Sequence, residues 1–491
     1  MRREGGKNRR ERLADRLRRE KKDLRKRWRQ TPPEQQDGFR ALHEELKKRS
    51  REVMRKIRRN VRRREARRAR ETFLKDPYGS VKKMFAELRS GELSCSKEEL
   101  DDHVRSTYSD PRRDDPIPHI EGLKRPSPPG VPFNMERITL QEVNEFVRKA
   151  RAKSAPGRDG ISYKALKYCP KLRHSLAWLL GELWEEPDLL EEWCTAEGVY
   201  LPKEENAKQI GQLRLLLSVL GKIYMGVIGR RAIKFLQENG YVDESVQKAG
   251  IPGIPGCIEH AYTIWDAIKQ AKKDKLDLNV VWLELANAYG SVPHKLLAKA
   301  MEFFYVPEPV IGLMMQYYDC FKMRFSTRNF STEWHRLEVG IAQGCTISVI
   351  WFVLVMEMLL RSAECSEEEA GVQAPKKAFM DDVTLLTREA EVMTRVLGRL
   401  DELVAWSRMR FKAKKSRSLT FRKGVQKQVR FQIAGEPMPT VKEQPVKSLG
   451  RWYKGSLSDK SQGVEIAEKA EECLRQIQRS KLPIKFNQIF I

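Results

Sequence analysis

Two adjacent carboxylates, Asp381 and Asp382, are the clearest candidates for chemistry in this chain of 491 residues. Apolar residues on both sides, from Lys377 to Leu386, predict two short strands with the acids at the bend between them. Two like charges repel unless a cation lies between them, and carboxylate oxygens bind Mg²⁺, which keeps coordination positions for phosphates. The alternative is a solvated hairpin turn. The choice between the two interpretations depends on whether other segments of the chain supply residues that could join the acids.

The first such partner is Glu284. It lies within an otherwise apolar run, Val280 to Leu285, which predicts a buried strand. An acid in such a strand must be paired, protonated or metal-bound. After the strand, the pattern predicts a helix with Ser291 as its cap and Pro293 in its first turn.

The second partner is the segment Gly340 to Ser348, which precedes the apolar run Val349 to Leu360. This run is shorter than the roughly 20 residues that a membrane span needs. It therefore predicts a buried helix and no membrane partner. Gly344, just before it, would let the backbone approach a ligand closely.

Taken in order, these segments resemble the palm of reverse transcriptases of the non-LTR (LINE-type) retrotransposons. Other segments are similar to the remaining motifs of that family. They are Lys153 to Tyr163 (fingers), Tyr200 to Lys203 and Gln212 to Arg214 (triphosphate), Gln247 to His260 (the loop before the first catalytic strand), Lys412 to Ser418 (the lysine-bearing motif) and Lys447 to Trp452 (the Leu-Gly element near the primer).

The resemblance implies an RNA-directed DNA polymerase that uses an RNA template, a DNA primer and deoxynucleoside triphosphates. Glu284, Asp381 and Asp382 would be the catalytic acids and the ligands of two Mg²⁺ ions, with Mn²⁺ as a possible substitute. Two such ions, about 3.5–4 Å apart, activate the primer 3′-hydroxyl and neutralise the leaving pyrophosphate.

The resemblance also implies roles in nucleotide binding. Lys203 and Arg214 would meet the triphosphate through charge-assisted hydrogen bonds, and Gln343 with Gly344 would line the nucleotide and template side. Tyr289 would exclude a ribose 2′-hydroxyl, with core packing as the alternative. Lys415 would donate a proton to pyrophosphate, or would only contact phosphate or solvent.

The chain departs from the family pattern at several positions. Glu284 stands where the family has Asp, and its extra methylene matters because a misplacement of about 1 Å can cost about a hundredfold in rate. Leu215 and Val349 stand where Pro is usual. We find no endonuclease, and residues 461–491 are similar to the start of a thumb. We therefore expect a truncated or degenerate copy with impaired catalysis. The alternatives are a nucleic-acid-binding protein without catalysis and a non-functional fragment.

The positive charge is concentrated at the N-terminus. Residues 1–75 hold 31 Lys and Arg against 12 Asp and Glu, which is +19 of the formal net charge of +27. From Ala41 to Lys75, apolar residues recur at helical spacing between arginine clusters. Phosphate-backbone binding is the favoured role, and a solvated helix or a nuclear import signal are the alternatives. The clusters comprise Arg62, Arg63, Arg64, Arg67 and Arg68.

The predicted fold class is α/β (α+β), a right-hand polymerase with a small antiparallel palm sheet. We predict a basic helical, partly disordered extension (1–75), a connector and linker (76–135), fingers and palm (136–460) and an incomplete thumb (461–491). The eight cysteines lack Cys-x-x-Cys spacing. With no signal peptide found, we expect reduced thiols in an intracellular protein of the nucleus or cytoplasm.

Overall fold

The structure is a computed structural model that describes residues 9–32, 37–75, 95–152, 154–200, 213–250, 256–327, 330–457 and 460–479. Its chain divides into two compact units. One consists of Met1–Leu88 with Asp459–Ile491, and the other of Arg89–Ser458. We describe each unit by itself.

The unit formed by the chain ends contains a hairpin of two long helices, α1 (Arg9–Gln30) and α2 (Asp37–Lys75). Leu17 and Leu24 on α1 and Phe73 on α2 are buried, whereas most of the arginines are exposed. The Thr31 hydroxyl donates to the Arg27 carbonyl at 2.9 Å, at the end of α1. This unit also contains a helix near the C-terminus, Lys460–Arg479.

The central unit begins with helices. They are α3 (Lys97–Tyr108), α4 (Leu140–Lys149), α5 (Tyr163–Tyr168) and α6 (Pro170–Glu185), followed by a 3₁₀ turn at Glu191–Cys194. Ser96 and Thr139 each form a capping box with the glutamate three residues later, which satisfies free N–H groups at the starts of α3 and α4.

A four-stranded sheet follows, built from β1 (Thr195–Tyr200), β2 (Leu213–Leu217), β4 (Lys322–Phe325) and β5 (His335–Arg336) in the order β2-β1-β4-β5. Between β2 and β4 the chain forms α7 (Val219–Glu238), α8 (Cys257–Lys273), β3 (Leu278–Leu283), α9 (Ala288–Ser291), α10 (His294–Phe303) and α11 (Glu308–Cys320).

The palm sheet has five strands in the order β6-β7-β3-β8-β9, and each neighbouring pair is antiparallel. This confirms the small antiparallel sheet of the predicted α/β fold. Its later elements are α12 (Ser348–Ser362), α13 (Glu367–Ala370), β6 (Lys376–Phe379), β7 (Asp382–Thr387), α14 (Ala390–Trp406), β8 (Arg417–Arg422) and β9 (Val425–Lys427). Three short hairpin strands, β10 (Gln432–Ile433), β11 (Glu436–Pro437) and β12 (Val446–Ser448), then lead to β13 (Arg451–Tyr453).

Both faces of β3 are buried, which is why the strand is apolar at every residue except Asn279. Val281 and Leu283 belong to the large core that includes α12 and α14. Val280 and Trp282 belong to a second core that α8 covers with Ile264 and Ile268. At β3 the sheet is thus held between two buried layers.

The local prediction around Ser291 is wrong. Ser291 ends the one-turn helix α9, and its hydroxyl donates back to the Ala286 and Ala288 carbonyls. The next helix, α10, begins after Pro293, which occupies its cap position. A short helical turn thus intervenes between β3 and α10, and Pro293, not the predicted Ser291, is the cap of the following helix.

The prediction that all cysteines are reduced is also corrected, because Cys194 and Cys320 form a disulfide with their Cα atoms 5.8 Å apart. The two residues are 126 positions apart in the sequence, so no local spacing indicated the pair. Other cysteines, such as Cys345, remain free and buried.

Residues 109–132, which we call the strap, were predicted to be part of a linker. In the structure, side chains of the central unit hold the strap by its backbone carbonyls. Arg408 donates to the Arg112 carbonyl at 2.7 Å, and Trp406 Nε1 donates to the Pro118 carbonyl at 2.9 Å. Further carbonyls that accept in this way belong to Asp114 (from Lys295), Asp115 (from Arg408), Glu121 (from Arg399), Pro126 (from Tyr305) and Ser127 (from Tyr241).

No helix in the described part of the chain is both long enough and apolar enough to cross a membrane.

Candidate active site

The three predicted catalytic acids lie at one end of the palm sheet. Leu283, the last residue of β3, pairs with Val383 of β7, and Glu284 follows it. Asp382 is the first residue of β7 and pairs with Phe379 of β6. Asp381 stands in the turn between those strands. The sheet register therefore brings together acids that are almost a hundred residues apart in the sequence.

The electrostatics of these acids show that they interact. Burial, and then the charges of Asp381 and Glu284, raise the pKa of Asp382 to about 6. Burial and the charge of Asp381 raise the pKa of Tyr289 to about 12. Among the described Lys and Arg side chains, none forms an ion pair with the three acids. The cluster thus carries negative charge without a described basic partner.

The acids do not already form a coordination shell. Within the ranges that the structure describes, no three His, Cys, Asp or Glu side chains are grouped closely enough to hold a metal ion. The donor type nevertheless fits a hard divalent cation, because carboxylate oxygens are the ligands that Mg²⁺ prefers. Burial and the neighbouring charges of Asp381 and Glu284 raise the pKa of Asp382, and a bound cation would offset the repulsion between these charges.

The lysine-bearing motif is attached to the end of β3. The Lys412 N–H donates to the Glu284 carbonyl at 2.8 Å, and the Glu284 N–H donates to the Ser416 hydroxyl at 3.2 Å. That hydroxyl donates in turn to the Lys412 carbonyl. Lys415 lies in the resulting turn with its side chain exposed. The predicted proton donor is therefore carried next to Glu284 by backbone hydrogen bonds.

Tyr289 is half-buried on α9, and its ring lies 4.7 Å from that of Phe352. Its carbonyl accepts from the Ile341 N–H at 2.7 Å. A Cβ on Gly340 would come within 2.8 Å of the Gly290 Cα and the Tyr289 oxygen, so only glycine permits this approach. Tyr289 thus packs on α12 and also interacts with Asp381, which leaves both predicted roles compatible with its position.

Gln343 and Gly344 form a turn just before α12. Gly344 is exposed and has a φ of +97°, a backbone conformation that favours glycine. A Cβ there would lie 3.4 Å from the Leu215 carbonyl on β2. The turn therefore lies against the strand that carries Arg214. The Arg214 side chain, like all of Lys203 and Lys153, lies outside the described residues.

The fingers motif is fixed to the start of α7. The Ser218 hydroxyl, which caps α7, donates to the Asp159 carboxylate at 2.6 Å. A Cβ on Gly157 would lie 2.5 Å from the Ser218 nitrogen. Asp159 and Gly157 of the fingers segment therefore attach this loop to the start of α7.

The Leu-Gly element forms the hairpin β12–β13, with Leu449 and Gly450 both at positive φ. Tyr453 packs its ring 4.7 Å from that of Trp282 on β3. The Arg451 guanidinium lies 3.8 Å from the centre of the Trp265 ring on α8. The element is thus attached to the palm sheet and to its covering helix.

The remaining residues either serve packing or lie on another part of the chain. His294, at the start of α10, is buried, contacts the Gly340 carbonyl at 2.9 Å and stacks on Tyr318, so it serves packing. The predicted basic cluster lies on α2 in the unit formed by the chain ends. All of its members are exposed there: Arg62, Arg63, Arg64, Arg67 and Arg68.

Sequence reasoning missed two buried polar residues beside the acids, Gln247 and Ser416. Gln247 contacts the backbone of Met380 in the acid-bearing turn, and Ser416 contacts Glu284 as described above. Each lay inside a segment that resembled a family motif. A polar residue within an apolar environment was the signal that could have singled them out.

Comparison with known proteins agrees with this geometry. Residues 202–452 match the family model described as "Reverse transcriptase (RNA-dependent DNA polymerase)". That range contains all three acids and about half of the chain.

Curated relatives come from insect retrotransposable elements. The chain is 22% identical over 283 residues to the "Retrovirus-related Pol polyprotein from type-2 retrotransposable element R2DM" of Drosophila melanogaster, covering 54% of this chain and 26% of the relative. It is 25% identical over 316 residues to the corresponding type-1 element R2 polyprotein of Bradysia coprophila, covering 62% and 33%. For the R2 polyprotein of Nasonia vitripennis, identity is 23%, and 54% of this chain and 25% of the relative are covered.

The chain thus spans only about a quarter to a third of the length of these relatives. The antiparallel palm sheet, the three acids at its end and the family match agree with one another. The chain belongs to the reverse transcriptase (RNA-dependent DNA polymerase) family, among the reverse transcriptases of non-LTR retrotransposons.

Proposed function

We propose that this chain is an RNA-directed DNA polymerase that extends a DNA primer along an RNA template with deoxynucleoside triphosphates. The observation that carries the proposal is the convergence of Glu284, Asp381 and Asp382 at one end of the palm sheet. A group of interacting carboxylates in this family's fold is suited to handling phosphate through a divalent cation.

Glu284, Asp381 and Asp382 would hold the divalent ions that polymerases of this family use, two Mg²⁺ or, as a substitute, Mn²⁺. When bound, such ions activate the primer 3′-hydroxyl and stabilise the pyrophosphate leaving group. The role of the chain's own residues is to present carboxylate oxygens from two adjacent strands and the turn between β6 and β7. The central strand of the sheet that carries them is buried along its whole length, as suits the support of a catalytic constellation.

Other residues would select and orient the nucleotide. Tyr289, beside Asp381, would occupy the space that a ribose 2′-hydroxyl needs. Gln343 and Gly344 would line the nucleotide and template side, where the exposed turn gives backbone access. Arg214 and Lys203 would bind the triphosphate by charge-assisted hydrogen bonds. Lys415 would hold a proton on Nζ for the departing pyrophosphate.

The N-terminal extension would bind nucleic-acid phosphates. On α2, a concavity of ≈ 880 Å³ is lined by Arg51, Arg55 and Arg58, among other residues. The exposed arginine cluster defined above continues this surface toward the end of the helix. Such a density of cations favours phosphate contact because binding releases counterions from the nucleic acid.

A second candidate function is nucleic-acid binding without catalysis. The observation that favours it is Glu284, which carries one methylene more than the Asp of the family pattern. The charge is retained, whereas the position of the carboxylate is not, so binding would survive a defect that slows the reaction.

Primer extension by the purified chain on a poly(rA) template with an oligo(dT) primer separates the two functions. We expect extension with Mg²⁺ or Mn²⁺ that Asp381→Asn abolishes. A matched control is Asp274→Asn, because Asp274 is exposed at the end of α8. Retained RNA binding with no extension under either ion would favour the binding protein. Equal extension by the Asp381→Asn variant would refute the assignment of the acids.

A further inference from the structure

Gln247 is completely buried beside the turn that carries Asp381 and Asp382. Its Oε1 accepts from the Met380 N–H at 3.0 Å and from the Ala249 N–H at 3.2 Å. Its Nε2 donates to the Met380 carbonyl at 3.4 Å. One side-chain amide thus satisfies both backbone groups of the residue that precedes the catalytic acids.

The turn needs such a partner because of its backbone conformation. Met380 has a φ of +60°, in the left-handed region that residues other than glycine rarely adopt. It also lies between Phe379 and Asp382, the pair that closes the β6–β7 ladder. Its N–H and carbonyl are therefore outside the regular strand pairing. The Gln247 side-chain amide supplies the hydrogen-bond partners that a neighbouring strand would otherwise provide.

Gln247 is itself held in place by its backbone. It forms a parallel bridge with Ala378, whose N–H donates to the Val246 carbonyl at 2.8 Å. The ring of His260 on α8 contacts the same carbonyl at 2.8 Å, and His260 is buried. The segment therefore extends the palm sheet past β6, and α8 fixes it from the side.

We propose that Gln247 is a positioning residue for the catalytic acids, acting through the backbone of Met380 and not by contact with substrate. The inference rests on the proposed function, because it concerns the acids that would hold the metal ions. By fixing both polar groups of Met380, Gln247 sets the direction in which Asp381 and Asp382 leave the turn. Its mode of action resembles that of outer-shell residues, which orient the ligands of a metal site.

The test compares Gln247→Leu with a conservative variant and a matched control in the full chain. Gln247→Leu keeps the size of the side chain but removes every hydrogen bond to Met380. Gln247→Glu keeps an oxygen that can accept from the Met380 N–H. The control is Asn279→Leu, because Asn279 is another fully buried amide on the palm sheet, and it donates to the carbonyls of Thr387 and Arg388 at the far end of β3.

The first readout is hydrogen exchange at the Met380 amide. We expect Gln247→Leu to speed this exchange by about tenfold or more, since the N–H loses its acceptor. Gln247→Glu should leave the amide protected, and Asn279→Leu should speed exchange only around Thr387. Unchanged protection of Met380 in Gln247→Leu would overturn the proposal. Faster exchange throughout the chain in both leucine variants would also overturn the proposal, because it would indicate only a lower free energy of unfolding.

The second readout is Mn²⁺ affinity, measured by paramagnetic resonance without any reaction. We expect Gln247→Leu to weaken binding by roughly 10- to 100-fold, the usual effect of removing an outer-shell partner. Asn279→Leu should leave the affinity unchanged, and an equal loss in both variants would contradict the positioning role. If the unmodified chain binds Mn²⁺ no better than Asp381→Asn does, the proposed function fails, while hydrogen exchange still decides the role of Gln247.

Discussion

Glu284 and Asp382 occupy opposing positions at the same end of the palm sheet, because the residues next to them, Leu283 and Val383, form a direct pair. Burial, the charge of Asp381 and the charge of Glu284 together raise the pKa of Asp382 to about 6. The carboxylate at position 284 therefore belongs to the acidic group, and the length of its side chain affects how that group meets a cation.

Shortening this side chain should increase the rate of polymerisation. We expect Glu284→Asp to raise the rate of nucleotide addition by roughly tenfold or more, which corresponds to about 1.4 kcal/mol of barrier. The measurement is single-nucleotide extension at saturating primer and template. Glu391→Asp, at an exposed position on α14, is the matched control. No gain in Glu284→Asp would show that the extra methylene is not what limits the rate.

Removing the ring of Tyr289 should relax the selection of the sugar. We expect Tyr289→Ala to raise the ratio of ribonucleotide to deoxynucleotide incorporation by at least about tenfold, a typical effect of a lost contact in a pocket. Tyr289→Phe keeps the ring that packs on Phe352, so it should retain the discrimination. Competitive incorporation assays measure both ratios. If alanine leaves the ratio unchanged, Tyr289 is a packing residue only.

Neutralising the exposed cluster on α2 should weaken nucleic-acid binding at all sequences. We expect replacement of its five arginines (62, 63, 64, 67 and 68) by glutamine to reduce the slope of log K against log salt by up to about 4. Replacement of the same residues by lysine keeps the charge and should retain the slope. Filter binding over a range of salt concentrations tests both. An unchanged slope in the glutamine variant would mean that the cluster is only solvated.

Glu357 should make stability depend on pH. It is buried on α12, and burial raises its pKa to about 7 although Arg361 lies 3.7 Å away. Asp243 raises this pKa further, while Lys376 lowers it. Because the folded-state pKa is raised, the stabilising contribution is complete below about pH 4.5, the value for an ordinary glutamate, and is lost as pH rises through 7.

Glu357→Gln should remove this dependence. Relative to the unmodified chain, the variant should gain roughly 2–3 kcal/mol in unfolding free energy between pH 4.5 and pH 8. Denaturant unfolding at several pH values measures the difference. Glu389→Gln, at an exposed position, should show no such gain. A constant difference between the Glu357→Gln variant and the unmodified chain at all pH values would contradict the assignment.

The sequence predicted the strands that carry the three acids because the signals of those strands are local. The apolar run of β3 and the alternation around Asp381 depend only on neighbouring residues, and the order of motifs indicated the palm. The partners of Met380 could not be predicted in this way, since Gln247 reaches it across 133 positions. The Cys194–Cys320 disulfide and the contacts of Ser416 with Glu284 are equally distant in the sequence. Such pairs exist only after the chain has folded.

The strap contacts described above have an evolutionary consequence. The bonds from Arg408, Trp406 and Lys295 all end on main-chain oxygens, which every amino acid provides. Substitutions at the accepting residues would therefore leave these bonds intact, whereas Arg125 holds the strap by its own side chain, which donates to the Glu302 carbonyl at 2.8 Å. The family match begins at residue 202, after the strap. A recombinant chain trimmed to that match would lack a packed layer of the fold and would expose the surface that the strap covers.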